Sequence, residues 1–152
     1  MLLTIIILAV SSFTAQFVQE QQMKMFAAPQ RSNGIVKYEA PDYLRWEYLS
    51  PQPMVWELNG EKGNMDRRVK GLVALIRQCI SGDFTETEKD FHITQDGNTV
   101  TLTPKKRETK RIFTEIVITL NPTTRIADRV EMSDANGDRT VITFSNVQML
   151  HD

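Results

Sequence analysis

Enzymatic chemistry needs a nucleophile beside a base, a pair of tuned acids or a set of metal donors. Candidates for all three are few in this chain. It has 152 residues with two histidines, His92 and His151, and one cysteine, Cys79. His92 falls on a predicted strand and His151 is the penultimate residue, so each reads as a structural or solvated side chain. Cys79 lies near the apolar face of a predicted helix and reads as a small buried hydrophobe. A lone cysteine excludes an intramolecular disulfide framework and a Cys-rich zinc site. The acid pairs Glu86/Glu88 and Asp134/Asp138 fall in predicted turns, where solvation accounts for them. There is no Gly-x-Ser-x-Gly elbow, no P-loop and no His/Glu pair at metal-ligand spacing. The expectation is a protein that is not an enzyme and uses no cofactor or metal.

Charge narrows the class further. Lys plus Arg number 18 against 19 Asp plus Glu, a formal net charge of −1, which gives no footprint for nucleic acid. The densest positive patch is Lys105-Lys106-Arg107-Glu108-Thr109-Lys110-Arg111. One reading makes it a solvated hairpin tip whose charges guard the apolar strand that follows. The other makes Lys105, Lys106, Arg107, Lys110 and Arg111 a contact surface for an anionic membrane or an acidic partner, each cation adding about 1 kcal/mol near a bilayer.

The elements that must carry these residues are mostly strands. Residues 17–26 alternate loosely, with Phe17, Met23 and Met25 in one phase. Residues 35–39 follow Ser32-Asn33-Gly34. In 43–49, Leu44, Trp46 and Tyr48 share one face, and Arg45 and Glu47 the other. Pro51 and Pro53 interrupt the pattern, because proline cannot donate to a ladder. Met54, Trp56 and Leu58 then line a fourth strand that closes on Asn59-Gly60, a hairpin signal. After Met65 the period becomes helical: Val69, Leu72, Val73, Ile76 and Ile80 make an apolar stripe, with Asp66 as N-cap and Gly82 past the C-terminus. Strands resume at Phe91 and Ile93, at Val100 and Leu102, over 112–120, over 125–133 and over 139–148, separated by Asp96-Gly97-Asn98, Asn121-Pro122 and Asp134-Ala135-Asn136-Gly137. About nine strands joined by tight turns, with one helix after the fourth, predict a mainly β antiparallel meander, curled or closed into a barrel.

Residues 2–10 (LLTIIILAV) form an apolar run, with no charged residue before Glu20. The run is too short for a bilayer span of about 20 residues. It reads as the apolar region of a secretory leader, 1–15, followed by a single domain, 16–152, although a basic n-region is missing. The competing reading is a buried N-terminal strand or helix.

The ordered features resemble the outer-membrane lipoprotein carrier (LolA-like) family. The resemblance begins with Phe17-Val18-Gln19 and continues through Pro41-Asp42-Tyr43-Leu44-Arg45-Trp46-Glu47-Tyr48, Leu58-Asn59-Gly60, the single helix, Phe91-x-Ile93 and Leu102-Thr103-Pro104-Lys105. It closes with Asp128-Arg129-Val130-Glu131-Met132, Gly137-Asp138 and Thr143-Phe144-Ser145-Asn146. The resemblance implies an incomplete antiparallel β-barrel (a half-barrel) with one amphipathic helix as lid over an apolar cavity. It implies a soluble, monomeric periplasmic carrier, exported and freed of its signal, that takes acyl chains of lipoproteins or other lipids from an inner-membrane transporter to an outer-membrane receptor. Acyl chains cost about 0.8 kcal/mol per CH₂ to hold in water, so such a crossing needs an apolar container. The expected cavity wall is Leu44, Trp46, Tyr48, Met54, Trp56 and Leu58, with Leu72, Val73, Ile76 and Ile80 from the lid. The alternative function is a non-transporting envelope interaction or sensor module on the same scaffold. Two departures from the family pattern stand out: the usual helix before the Phe-x-Gln strand is missing or replaced by residues 1–16, and Ala40 stands where carriers place a latching arginine before proline.

Overall fold

The computed structural model describes residues 10–40, 43–59, 62–63, 87–124 and 126–151. Alternating sequence produces alternating burial along most of the chain. In β2 (Gln30–Glu39) Gly34, Val36 and Tyr38 are buried while Ile35, Lys37 and Glu39 are exposed. The same two-residue period runs through β1 (Val10–Gln22), β3 (Tyr43–Ser50), β7 (Thr99–Pro104), β8 (Glu115–Leu120) and part of β9 (Ala127–Ser133). The set is completed by β4 (Met54–Asn59), the two-residue β5 (Lys62–Gly63), β6 (Phe91–Asp96) and β10 (Arg139–His151).

These ten strands form one antiparallel sheet in the order β5-β4-β3-β2-β1-β10-β9-β8-β7-β6. Each strand lies beside its successor except β5, which is one edge of the sheet while β6 is the other. The expected half-barrel is therefore an open, unclosed sheet. The chain from β5 to β6 passes from one edge to the other through residues that include 64–86. The expected lid helix, with Leu72, Val73, Ile76 and Ile80, lies outside the described residues, as does Cys79. The seam in the middle is made by β1 and β10, which pair from Val10↔His151 to Gln22↔Arg139.

The buried side chains come from one face of the sheet and join in one apolar cluster, from Leu44 and Leu58 at one side to Val100 and Leu102 at the other. The sheet must curl to do this. Tyr48 on β3 and Phe113, just before β8, line one hollow, yet five interstrand steps in a flat sheet would separate their strands by about 24 Å.

Several boundaries differ from the sequence pattern. β1 starts at Val10 and ends at Gln22, so Met25 is not on the strand with Phe17 but in the following turn, where it is 85% exposed. Phe13 and Ala15 are 1% and 3% exposed on β1, and their backbones lie between Tyr38 and Val36 of β2 on one side and β10 on the other. A leader boundary after Ala15 falls inside this central strand. The strand expected over 112–120 begins only at Glu115. Before it, Arg107–Lys110 is one helical turn, and the amides of Ile112 and Phe113 both bond to the Thr109 carbonyl. The basic run is thus a helical connection between β7 and β8 rather than a tight hairpin tip.

The strand directions sort the connections by end. Turns 23–29, 51–53 and 134–138 and the 105–114 connection lie at one end, here the distal end, as the pairs Gln21↔Gln30, Tyr48↔Met54, Arg139↔Ser133 and Phe91↔Pro104 require. Val10 and His151 mark the opposite end.

Candidate ligand-binding site

The inner face can be built strand by strand, because directly opposed residues of an antiparallel pair share a face. Leu44, Trp46 and Tyr48 oppose Leu58, Trp56 and Met54 on β4. On their other side they oppose Tyr38, Val36 and Gly34 of β2. Those residues oppose Phe13, Ala15 and Phe17 of β1, and Phe17 in turn opposes Phe144 of β10. All six expected cavity-wall residues of β3 and β4 therefore share this face, and Arg45 projects from the other, 3.7 Å from both Glu47 and Glu57.

Burial along the face is graded. Leu44, Trp46 and Leu58 are 0%, 4% and 3% exposed within the packed cluster. Tyr48 and Trp56 are partly buried against it, and Met54, at the distal end of β4, is 45% exposed. Gly34 organises the centre. Without a side chain there, the Phe17 ring crosses β2 and stacks on Trp46, with centroids 4.1 Å apart and planes at 25°. Tyr48 meets Phe17 edge-on at 5.5 Å, and Phe144 meets Trp46 edge-on at 6.3 Å. Four aromatic rings thus bridge from β10 to β3.

A hollow of about 280 Å³ opens beside this cluster at the distal end. Its wall combines apolar Phe113 and Met132 with the hydrogen-bonding side chains of Gln19, Gln21, Tyr48 and Thr140, and the carboxylates of Asp134 and Asp138 stand at its edge. The Tyr48 hydroxyl donates to Gln19 Oε1 at 2.9 Å, and Tyr48 also hydrogen-bonds with the Trp46 side chain. Burial raises the Tyr48 pKa above the usual tyrosine value, against smaller lowering effects from the bonds with Trp46 and Gln19. Gln19, only 8% exposed, escapes a reading based on apolar residues alone. Its signal is positional, for it is a polar residue two places after Phe17 in the buried phase of β1.

The other candidates are occupied structurally. His92 is exposed on edge strand β6. Asp90 forms an ion pair with Lys106 at 2.7 Å, which raises the Lys106 pKa. Asp134 Oδ1 accepts the backbone amides of Asn136 and Asp138, and Asp138 Oδ1 accepts that of Lys24 at 3.0 Å. The Lys105 amine donates to the Glu88 carbonyl at 2.9 Å, while Arg107, Lys110 and Arg111 are exposed around the helical turn. Among the described residues, no group of three or more His, Cys, Asp or Glu side chains could hold a metal ion.

Solved structures are similar to this chain at low identity, and those of MucB share its architecture. A chain of the Pseudomonas aeruginosa MucA/MucB complex is 12% identical with a TM-score of 0.52, covering 91% of this chain and 51% of its own. MucB alone is 10% identical with a TM-score of 0.53, covering 93% of this chain and 54% of its own. The present chain thus spans about half the length of these proteins. The LolA superfamily protein NE2245 from Nitrosomonas europaea is 12% identical with a TM-score of 0.38, covering 93% of this chain and 87% of its own. No curated protein matches the chain in sequence. The family described as outer membrane lipoprotein carrier protein LolA matches residues 9–152, from the residue before β1 to the C-terminus. An open antiparallel sheet with one apolar face, and a family match over nearly its whole length, place this chain in the LolA outer membrane lipoprotein carrier family.

Proposed function

We propose that the protein is an envelope carrier that holds the acyl chains of lipoproteins, or another lipid, against the inner face of the sheet for transfer toward the outer membrane. The observation that carries this reading is the continuous apolar face of a sheet left open between β5 and β6, with a mixed polar and apolar hollow at its distal end. The tail would lie along Leu44, Trp46, Tyr48, Met54, Trp56 and Leu58 and against Leu72, Val73, Ile76 and Ile80. Its ester or amide head would meet the hydrogen-bonding groups of the hollow. Each CH₂ taken from water supplies about 0.8 kcal/mol. Leu44, Trp46 and Leu58 are packed without a ligand, so loading exchanges side-chain contacts for tail contacts. A ligand drives that exchange only through its higher affinity for the loaded arrangement. Work in the periplasm requires export. Any leader that is removed would then end upstream of Phe13, because cleavage after Ala15 would take Phe13 and Ala15 out of the core.

Mass spectrometry of organic extracts of the purified protein, with displacement of a bound naphthylamine dye by palmitate and a palmitoylated peptide, tests this. Co-purified acyl lipid and saturable displacement are expected. A folded, delipidated sample that takes up neither dye nor acyl chain overturns the carrier reading.

A second reading, a protein-binding sensor module that transports nothing, is favoured by the likeness to MucB, whose complex with MucA has been solved. It predicts a polypeptide partner recovered with the protein and no acyl lipid in the extract.

A further inference from the structure

Isolated exposed apolar side chains are ordinary on a protein surface, and only their grouping has meaning. Among the described residues, the exposed large apolar side chains are Met25 at 85%, Phe26 at 49%, Leu49 at 48%, Met54 at 45% and Ile35 at 38%. Four of these five lie at the distal end. Met25 and Phe26 are in the β1–β2 turn, and Leu49 and Met54 flank the β3–β4 turn. The first pair is held outward. The Phe26 amide bonds to the Met23 carbonyl at 3.0 Å, and the Lys24 amide bonds to Asp138 Oδ1 in the β9–β10 turn at 3.0 Å. That pinned turn does not fold its apolar side chains back onto the sheet.

The same end carries the densest cationic run of the chain. Residues 105–111 contain five cations and one anion, and Lys105, Lys106, Arg107, Lys110 and Arg111 are all exposed. Of the nearby carboxylates, Asp90 pairs with Lys106, Asp134 and Asp138 accept backbone amides of their own turn and of Lys24, and Glu88, Glu108 and Glu115 are exposed, so the cations of the run outnumber the exposed acids beside them. Outward apolar tips at the same end of the sheet as a cationic segment match the two layers of an anionic bilayer surface, acyl region below and charged headgroups above. An acidic protein surface would use the cations and leave Met25 and Phe26 in water.

We infer that the distal end docks on an anionic lipid bilayer, with Met25 and Phe26 entering the interface and the 105–111 connection resting on the headgroups. Docking in this orientation presents the mouth of the hollow, which lies at the same end, to the lipid. Contact of this kind is transient, because two apolar tips and a few cations give marginal membrane affinity. This surface is additional to the carrier reading, and vesicle binding measures it without any cargo.

Flotation of the purified full chain with vesicles of phosphatidylcholine alone, or of phosphatidylcholine with phosphatidylglycerol, tests the inference. Binding to the anionic vesicles, absent on phosphatidylcholine and weakened by salt, is expected. Met25→Ser with Phe26→Ser is expected to weaken it about tenfold. Lys105→Glu with Lys106→Glu and Arg107→Glu should weaken it by more than about tenfold, since each cation near the surface contributes about a fivefold factor. Circular dichroism serves as the check that each variant is folded. No binding by the wild type overturns the inference. Loss on charge reversal with full binding by the apolar-tip variant also overturns it, in favour of a purely electrostatic contact with the headgroups in which Met25 and Phe26 do not enter the interface.

Discussion

Gly34 is the residue on which the aromatic centre depends. A Cβ there would lie 1.8 Å from the Glu47 carbonyl oxygen and 2.7 Å from Phe17 Cζ. The first clash is with backbone at a register shift between β2 and β3, so no rotamer change relieves it. Gly34→Ala is expected to destabilise the protein by about 3 kcal/mol, read as a lower urea midpoint. Tyr48 gives a prediction of a different kind. Its folded-state pKa is raised, mainly by burial, so both folded and unfolded states hold it neutral below the usual tyrosine value. Above that value the unfolded state ionises first and draws the equilibrium toward itself. Stability should therefore fall as pH rises beyond about 10. In Tyr48→Phe the decline should be shallower, on top of a loss of about 1 kcal/mol at neutral pH for the bond to Gln19. Melting temperatures between pH 8 and 11 would show both effects.

Among the elements, β1 is decisive. It pairs on both sides, with β2 and with β10, and its first half carries Phe13 and Ala15 into the core. Losing one buried Phe side chain costs about 3–5 kcal/mol, against a total stability of about 5–15 kcal/mol for a domain. A chain beginning at residue 16 is expected to remain unfolded by circular dichroism, while one beginning at residue 10 folds. This strand also shows where sequence reading succeeds and where it stops. The alternation through 43–58 identified the shared face of Leu44, Trp46, Tyr48, Met54, Trp56 and Leu58, because a half-buried antiparallel strand imprints its period directly. Phe13-Thr14-Ala15, read from the sequence as the end of a leader, lies on a central strand, which only its pairing with residues distant in sequence reveals. The hollow was illegible for the same reason. Gln19, Tyr48, Phe113 and Met132 come from three strands and a connection, brought together by curl, and curl leaves no local pattern. The helical turn at Arg107–Lys110 was hidden by the β-branched and apolar residues that follow it.

For the molecule as a whole, the sheet is a meander whose sequence order has been cut at β1 and β10 and left open at β5 and β6. In the proposed carrier function the curled apolar face is both core and binding surface, so stability and ligand capacity would draw on the same side chains. A bound acyl chain at one hundred times its dissociation constant should add about 2.7 kcal/mol to stability, seen as a higher melting temperature with palmitoylated peptide than with the bare peptide. The β1–β10 seam carries a further consequence, for biosynthesis. Synthesis runs from the amino end, so β1 emerges first with one ladder edge that stays unmatched until residues 139–151 have left the ribosome. Through that interval the nascent polypeptide offers a sticky template to any passing strand, which makes it a natural client for a holding chaperone. Val10 and His151 are paired neighbours, so fusing the two ends and reopening the chain between β5 and β6 would turn every long-range pairing at the seam into a local one. Such a circular permutant should refold faster than the natural order.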